Sequence, residues 1–215
     1  LLDVRNGDVP ALAATPAYDP NEFAQGLSSE TWRTLLRDPR SPLINKAIAG
    51  AYAPGSTFKL IVTLAALEAG VMPIDLQVFC RGFTQFGNTR FHCWKKHGHG
   101  SVAMVDAIQH SCDVYFYEVA RRVGVDRIEK MAKRFGLGER VGIDLPNEKP
   151  GLIPTQQWKY ESTGVKWQNG ETLITGIGQG FVLTTPLQLA VMTARIANGG
   201  FAVKPRLVRP AAATP

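Results

Sequence analysis

The stretch AYAPGSTFKL, residues 51–60, is the starting point for interpreting the rest of the chain. Ser56 follows a Pro-Gly pair, Lys59 comes three residues later, and an apolar run then continues to Gly70. The pattern STFKLIVTLAALEAG predicts a helix that begins near Ser56 and is closed by a left-handed glycine. Because the run is apolar on most of its faces, we expect the helix to lie inside a domain.

On such a helix Ser56 and Lys59 point the same way, with Cβ atoms about 5–6 Å apart. A serine hydroxyl is a weak nucleophile until a base takes its proton. The helix start favours a developing negative charge, and burial would favour the neutral amine of Lys59 as that base. The spacing alone is a weak signal, because a capping serine followed by a surface lysine has the same pattern.

A second polar element, Ser111-Cys112-Asp113, interrupts two short predicted helices at residues 102–110 and 114–123. A hydroxyl and a short polar side chain in such a turn can relay a proton and bind an amide. Penicillin-binding proteins and class A β-lactamases combine serine-x-x-lysine with Ser-Asp-Asn and Lys-Thr-Gly. The two elements together therefore indicate acyl transfer through a serine.

Composition narrows the class of protein. The 215 residues are 45% hydrophobic and 20% charged, as in a globular domain with a core of its own. The formal net charge of +6 is spread along the chain, and no basic helix or RNA-reading motif accompanies it, so we expect no nucleic-acid partner. No run of 18 apolar residues or signal peptide is visible. Since the chain begins without methionine in strand-like sequence, we expect it to be a piece of a longer protein.

The pattern along the chain predicts three parts. An Asn-Gly turn at residues 6–7 predicts a β-hairpin over residues 1–14. Residues 15–200 are predicted to be mainly helical, with helices at 29–37, at 126–135 behind an Asp126–Glu129 capping box, and after Thr185. Residues 77–100 and most of 137–170 lack periodicity and are predicted to be irregular. An Ala/Pro-containing tail occupies residues 201–215.

Five strings then give the chain a family resemblance. They are RNGDVPALAATPAYDPN near the start, PLINKAIAGAYAPGSTFK around Ser56, WKKHGHG, SCDVYFYEVA, and GIGQGFVLTTPLQLA near the end. Together they resemble the transpeptidase domain of class B penicillin-binding proteins, in particular those of the cell-elongation machinery, over essentially all 215 residues. The resemblance implies an α+β penicillin-binding, serine-transpeptidase (β-lactamase-like) fold. It also implies that GIGQG packs beneath the active site.

The resemblance also implies a role for each matching residue. Ser56 would be the acylated nucleophile, Lys59 its base, and Ser111 a proton shuttle. Asp113 stands where many relatives have Asn, which leaves open whether it carries a charge or donates a hydrogen bond. The third motif, Lys-Thr/Ser-Gly, is absent, because Lys204 is followed by Pro205. We therefore expect a truncated fold whose C-terminal strands, with that motif, lie beyond Pro215, so that the 215 residues alone are an incomplete enzyme.

The implied function is a peptidoglycan D,D-transpeptidase that cross-links stem peptides and is acylated by β-lactams. A β-lactam-binding sensor and a β-lactamase are the alternatives, and the rate of deacylation distinguishes the last from the other two. The resemblance further implies a membrane glycosyltransferase and elongation-complex proteins as partners. It places the protein at the periplasmic face of the inner membrane, with its anchor outside this chain.

All three cysteines lie within residues 80–112, close to a histidine in the string HGHG. Cys80, Cys93, His99 and Cys112 form a complete tetrahedral ligand set for a structural zinc ion. Cys112 is the middle residue of Ser-Cys-Asp, so its side chain should point away from its two neighbours and let the metal fix that turn. One disulfide with a free thiol, or three free thiols, are the other possibilities. His92 or His97 could replace His99, whereas His110 is expected on a helix surface.

Overall fold

A computed structural model describes residues 1–208, so residues 209–215 of the predicted tail lie outside the described residues. The chain divides into two compact units. The first unit comprises Leu1–Ala51, Arg140–Pro150 and the segment that begins at Thr185, and the second comprises Tyr52–Glu139 and Gly151–Thr184. None of the helices in the described part of the chain has the length and apolar character needed to cross a bilayer.

Helices dominate both units. The α-helices are α1 Pro20–Gln25, α2 Ser29–Arg37, α3 Lys46–Ala49, α4 Lys59–Glu68, α5 Met104–Gln109, α6 Asp113–Val123, α7 Val125–Arg134, α8 Gln156–Thr163, α9 Asn169–Thr175 and α10 Pro186–Ala197, and one turn of 3₁₀ helix covers Gly55–Phe58. The strands are β1 Val78–Cys80, β2 Phe83–Phe86, β3 Thr89–His92 and β4 Gly100–Val102.

The first unit is built around the contact between α3 and α10. The start of α10 follows the predicted pattern, because the Thr185 side chain accepts from Gln188 N and the Gln188 side chain accepts from Thr185 N. The apolar core of this unit consists of Val9, Ile48, Val141, Ile143, Leu187 and Val191.

The predicted N-terminal hairpin is only partly present. The Asn-Gly turn forms, with Gly7 N donating to Asp3 O and Asp3 N donating to Asp8 O. Its arms are not strands, because Asp8 N donates instead to the Asn6 side chain and Asp8 makes an isolated parallel bridge to Arg206. Such local side-chain bonds compete with the pairing of two strands.

The second unit is organised around α4. This helix packs against α6 and α7, and α6 also packs against α9. Phe58, Ile61, Val62 and Ala66 have no exposed surface, which confirms the prediction of a buried helix. Gly70, which follows its last turn, has a φ of 63° as a left-handed helix terminator does.

Two segments that were predicted to be irregular contain regular structure. Residues 77–100 belong to two antiparallel pairs, β1 with β4 and β2 with β3. Helix α8 and the first two residues of α9 lie within the predicted loop at 137–170. These strands were not predicted because a strand of three or four residues is too short to show the alternation of apolar and polar residues.

Candidate active site and cysteine–histidine cluster

Ser56 lies in the 3₁₀ turn that leads into α4. A close backbone approach supports this turn, because Gly55 N donates to Gly178 O over 2.9 Å. A Cβ atom on Gly178 would lie 2.3 Å from Gly55 O and 2.7 Å from Phe58 Cβ, so this position requires glycine. The GIGQG string therefore packs against the turn that carries Ser56, as the resemblance implied.

Lys59 begins α4 and is only 2% exposed. Its Nζ donates to three acceptors, which are Ser111 O at 2.9 Å, Ser111 Oγ at 2.9 Å and Asp113 Oδ1 at 2.7 Å. Ser111 Oγ in turn donates to Ser56 Oγ over 2.8 Å. The hydrogen bonds thus connect Lys59 to Ser56 through Ser111, rather than by the direct contact that the helical spacing suggested.

Asp113 is the charged partner of the buried Lys59 ammonium group. Its Oδ1 forms the ion pair, in which the two side chains are 3% and 13% exposed. Its Oδ2 accepts the backbone N–H of Trp94 at 2.9 Å. Because both oxygens accept hydrogen bonds, neither donates one, and Asp113 serves as the counter-charge of Lys59.

The turn that carries Ser111 is conformationally unusual. Ser111 has a φ of 52°, in the left-handed region that non-glycine residues seldom adopt. It lies between the end of α5 and the start of α6, as predicted, with Cys112 at the N-cap of α6. The indole Nε1 of Trp94 donates to the carbonyls of both His110 and Ser111 at 3.1 Å.

Next to this turn, four metal-ligand atoms converge. The ligand atoms of Cys80, Cys93, His99 and Cys112 all lie within 4.8 Å of one another. His99 Nδ1 is 3.6 Å from the Sγ atoms of both Cys80 and Cys93. All three cysteines are buried and unbridged. His110 is exposed and stacks on the His99 ring at 6.1 Å between centroids.

These donors fit a zinc ion by type and spacing. Tetrahedral zinc with bonds of about 2.0–2.3 Å places neighbouring N and S ligands about 3.5 Å apart, close to the 3.6 Å between His99 Nδ1 and the Sγ atoms of Cys80 and Cys93. Burial lowers the pKa of His99, which favours the neutral imidazole that a metal needs. Burial raises the pKa of the Cys112 thiol, so a thiolate there depends on a nearby cation.

A sequence model of the penicillin binding protein transpeptidase domain matches residues 1–213. The chain belongs to this transpeptidase family. The peptidoglycan D,D-transpeptidase MrdA of Escherichia coli K12 is 40% identical over 97% of this chain and 33% of its own length. The MrdA of Acinetobacter baumannii is 39% identical over 97% of this chain and 31% of its own length. The chain thus spans about a third of the length of these curated relatives.

Solved structures of relatives have the same fold. Pseudomonas aeruginosa PBP2 in complex with WCK 5153 matches with a TM-score of 0.90 and 41% identity, over 96% of this chain and 47% of that one. The Helicobacter pylori complex of PBP2 and MreC matches with a TM-score of 0.92 and 36% identity, over 95% and 38%. These matches confirm the predicted fold class and the resemblance to penicillin-binding proteins of the PBP2 type.

The structure brings all eight sequence-predicted site residues into two adjoining groups, and the chemical roles of those residues stay predictions. Sequence reasoning missed the hydrogen bonds of Trp94 to the Ser111 turn, because a tryptophan is more often explained by packing. It also missed the Lys59–Asp113 ion pair. The sequence carried one signal for both contacts. The predicted ligand Cys93 directly precedes Trp94, and the predicted ligand Cys112 lies between Ser111 and Asp113, so a metal bound by these cysteines would bring Trp94 close to that turn.

Proposed function

We propose that this chain carries the nucleophile side of a peptidoglycan D,D-transpeptidase that works through an acyl-serine intermediate. The observation that carries the proposal is the continuous path from Ser56 Oγ to Ser111 Oγ and on to Lys59 Nζ, with separations of 2.8 and 2.9 Å. The same path starts at a serine that lies at the beginning of a buried helix, where backbone N–H groups favour negative charge.

Each residue of the path has a chemical task. Ser56 Oγ attacks the carbonyl carbon of the penultimate D-alanine of one stem peptide, and its proton passes through Ser111 Oγ to Lys59 Nζ. Lys59 acts as this base in its amine form, after its ammonium group has released one proton, and the hydrogen bonds along the path then run from Ser56 towards Lys59. The proton returns by the same path to the nitrogen of the departing terminal D-alanine. An amine from a second stem peptide then attacks the ester, releases Ser56 and completes the cross-link. Asp113 holds Lys59 in place through its carboxylate.

A structural zinc ion belongs to this proposal. Cys80, Cys93, His99 and Cys112 would hold it, and four protein ligands leave no position for a reacting water. When bound, the ion supplies a crosslink between the segment at residues 80–99 and the turn at residues 111–113. The three buried thiols support this assignment, and so does the lowered pKa of His99, which favours the neutral imidazole.

The partners and location follow from the relatives. We propose stem peptides and β-lactams as ligands and elongation-complex proteins as partners, including a membrane glycosyltransferase. The Helicobacter pylori PBP2 structure contains MreC, and a further relative belongs to a peptidoglycan synthase complex of polymerization and crosslinking. These neighbours support a place for the domain on the periplasmic face of the inner membrane.

A fluorescent penicillin tests the proposal. In the full-length protein we expect covalent labelling of Ser56, complete loss of labelling in Ser56→Ala, and unchanged labelling in Ser29→Ala, an exposed serine of α2. Mass spectrometry of the labelled peptide locates the adduct. Labelling that persists in Ser56→Ala would overturn the assignment, and rapid release of the label would indicate a β-lactamase instead.

A further inference from the structure

The indole N–H of Trp94 lies between two consecutive peptide carbonyls of the Ser111 turn. Its Nε1 is 3.1 Å from His110 O and 3.1 Å from Ser111 O. The side chain is not held there by burial, because Trp94 remains 64% exposed. Because most of Trp94 is in contact with water, burial of its ring does not explain why its N–H points at two carbonyls.

The peptide units that Trp94 holds are strained. Ser111 adopts a φ of 52°, which is unfavourable for a residue with a Cβ atom and persists only where the surroundings impose it. This conformation points the Ser111 side chain between Ser56 and Lys59. Relaxation of the backbone to a negative φ would turn that side chain away and open the path between the two residues.

Trp94 also makes contacts that do not involve the two carbonyls. Its backbone N–H donates to Asp113 Oδ2 at 2.9 Å, and its ring packs edge-on against His99 with centroids 5.4 Å apart. It directly follows Cys93 in the cysteine–histidine cluster. The indole donor is therefore held in place by contacts that do not depend on the carbonyls it binds.

We propose that Trp94 is a positioning residue for acyl transfer, and that its indole N–H keeps Ser111 in the left-handed conformation that links Ser56 to Lys59. This inference rests on the proposed function, since Trp94 acts only through Ser111. The proposed role of Trp94 affects two steps of the reaction differently. The chemical step needs the aligned hydroxyl of Ser111, whereas the initial non-covalent binding of a β-lactam does not.

The test is the Trp94→Phe variant of the full-length, metal-loaded protein, which keeps an aromatic ring and removes the N–H. We expect the limiting acylation rate constant with a fluorescent penicillin to fall about fivefold, the factor that corresponds to one neutral hydrogen bond. The apparent dissociation constant of the non-covalent complex should stay unchanged, and zinc content should stay at the wild-type level.

Trp167→Phe is the matched control. It also removes one indole hydrogen bond, from Nε1 to Thr172 Oγ1 at 2.8 Å, in another part of the second unit. We expect its acylation rate constant to equal that of the wild type. A general effect of tryptophan loss on stability would instead slow both variants.

The outcomes separate the two claims. If the wild type is not labelled at Ser56, both the proposed function and this inference are overturned. If the wild type is labelled and Trp94→Phe keeps its rate constant, only the role of Trp94 is overturned. Where Trp94→Phe folds poorly or loses metal, benzothienylalanine at this position replaces the N–H by sulfur within the same ring shape. A wild-type rate constant in that protein overturns the inference equally.

Discussion

Asp113 shows how much of the site depends on single atoms. One carboxylate oxygen accepts from Lys59 Nζ and the other from the backbone N–H of Trp94. An asparagine has one oxygen and one N–H₂ group, so one of these two donors would face another donor. The sequence left open whether this residue is charged, and only the positions of its two partners decide the question.

Two substitutions of Asp113 are therefore expected to lower the free energy of unfolding by different amounts. Asp113→Asn should lower the free energy of unfolding by about 1–3 kcal/mol, because its single oxygen can accept from only one of the two donors. Asp113→Ala should cost about 3–5 kcal/mol, because the Lys59 ammonium group then stays buried with neither a counter-charge nor a side-chain oxygen at residue 113 to accept its hydrogen bond. Urea denaturation measures both values. Asp75→Asn, at an exposed aspartate, serves as the control, and equal stability of Asp113→Asn and the wild type would contradict the two-acceptor geometry.

At the scale of the elements, capping residues in the sequence indicate well where helices begin. Helix α2 begins after Ser28 and α10 after Thr185, and both side chains accept the backbone N–H bonds of a first turn. The helix predicted at 126–135 is present as α7, but its predicted capping box is not, because the Asp126 carboxylate accepts from Gln156 instead of capping its own helix. A capping signal is local, and a partner 30 residues away can override it.

Short strands were not predictable, for a different reason. The pairs β1–β4 and β2–β3 are held by close backbone approaches as well as by their few hydrogen bonds. A Cβ on Gly82 would lie 2.0 Å from Lys96 O, and one on Gly98 would lie 2.0 Å from Cys80 O. In the sequence these glycines indicated only a lack of regular structure, whereas in the fold they allow two backbone segments to touch.

The contact between Gly178 and the 3₁₀ turn predicts how a substitution of this glycine affects acylation of Ser56. Gly178→Ala should slow acylation by about tenfold or more, because the new methyl group must displace Gly55 O or Phe58, on either side of Ser56. Acylation by a fluorescent penicillin measures the effect. Gly164→Ala is the matched control, since its φ of 70° resembles the 69° of Gly178 but nothing lies within 4 Å. It should lower stability by about 1 kcal/mol through backbone strain alone and leave acylation unchanged.

At the scale of the whole molecule, the candidate site joins segments that are far apart in the chain. Ser56 and Ser111 are 55 residues apart and their hydroxyls are 2.8 Å apart. Sequence reasoning grouped the cysteines with His99 because the chain has so few thiols, all within one window. The resemblance implied that Ser111 shuttles a proton, but the partners and distances of its hydrogen bonds could not be predicted, because they depend on how α4 packs against α6.

The last prediction concerns the metal and pH. Burial raises the pKa of Cys112 above its ordinary value of 9.0. A group whose pKa is raised on folding contributes stability that is present below its ordinary pKa and is lost as the pH rises. The metal-free protein should therefore become less stable above about pH 9. A bound zinc ion reverses this behaviour, because it binds the thiolate form and protons compete with it at low pH.

The difference in melting temperature between zinc-loaded and chelator-treated protein should consequently be small near pH 5 and increase towards pH 9. His99 adds to the loss at low pH in both forms, because burial lowers its pKa and stability falls as the pH drops below its ordinary value of 6.5. Differential scanning calorimetry across this range gives the curve. Cys112→Ser, which lacks one ligand, should show little difference at any pH. A melting temperature that does not respond to the chelator, or a difference that grows towards acid, would show that these four side chains do not hold a structural zinc ion.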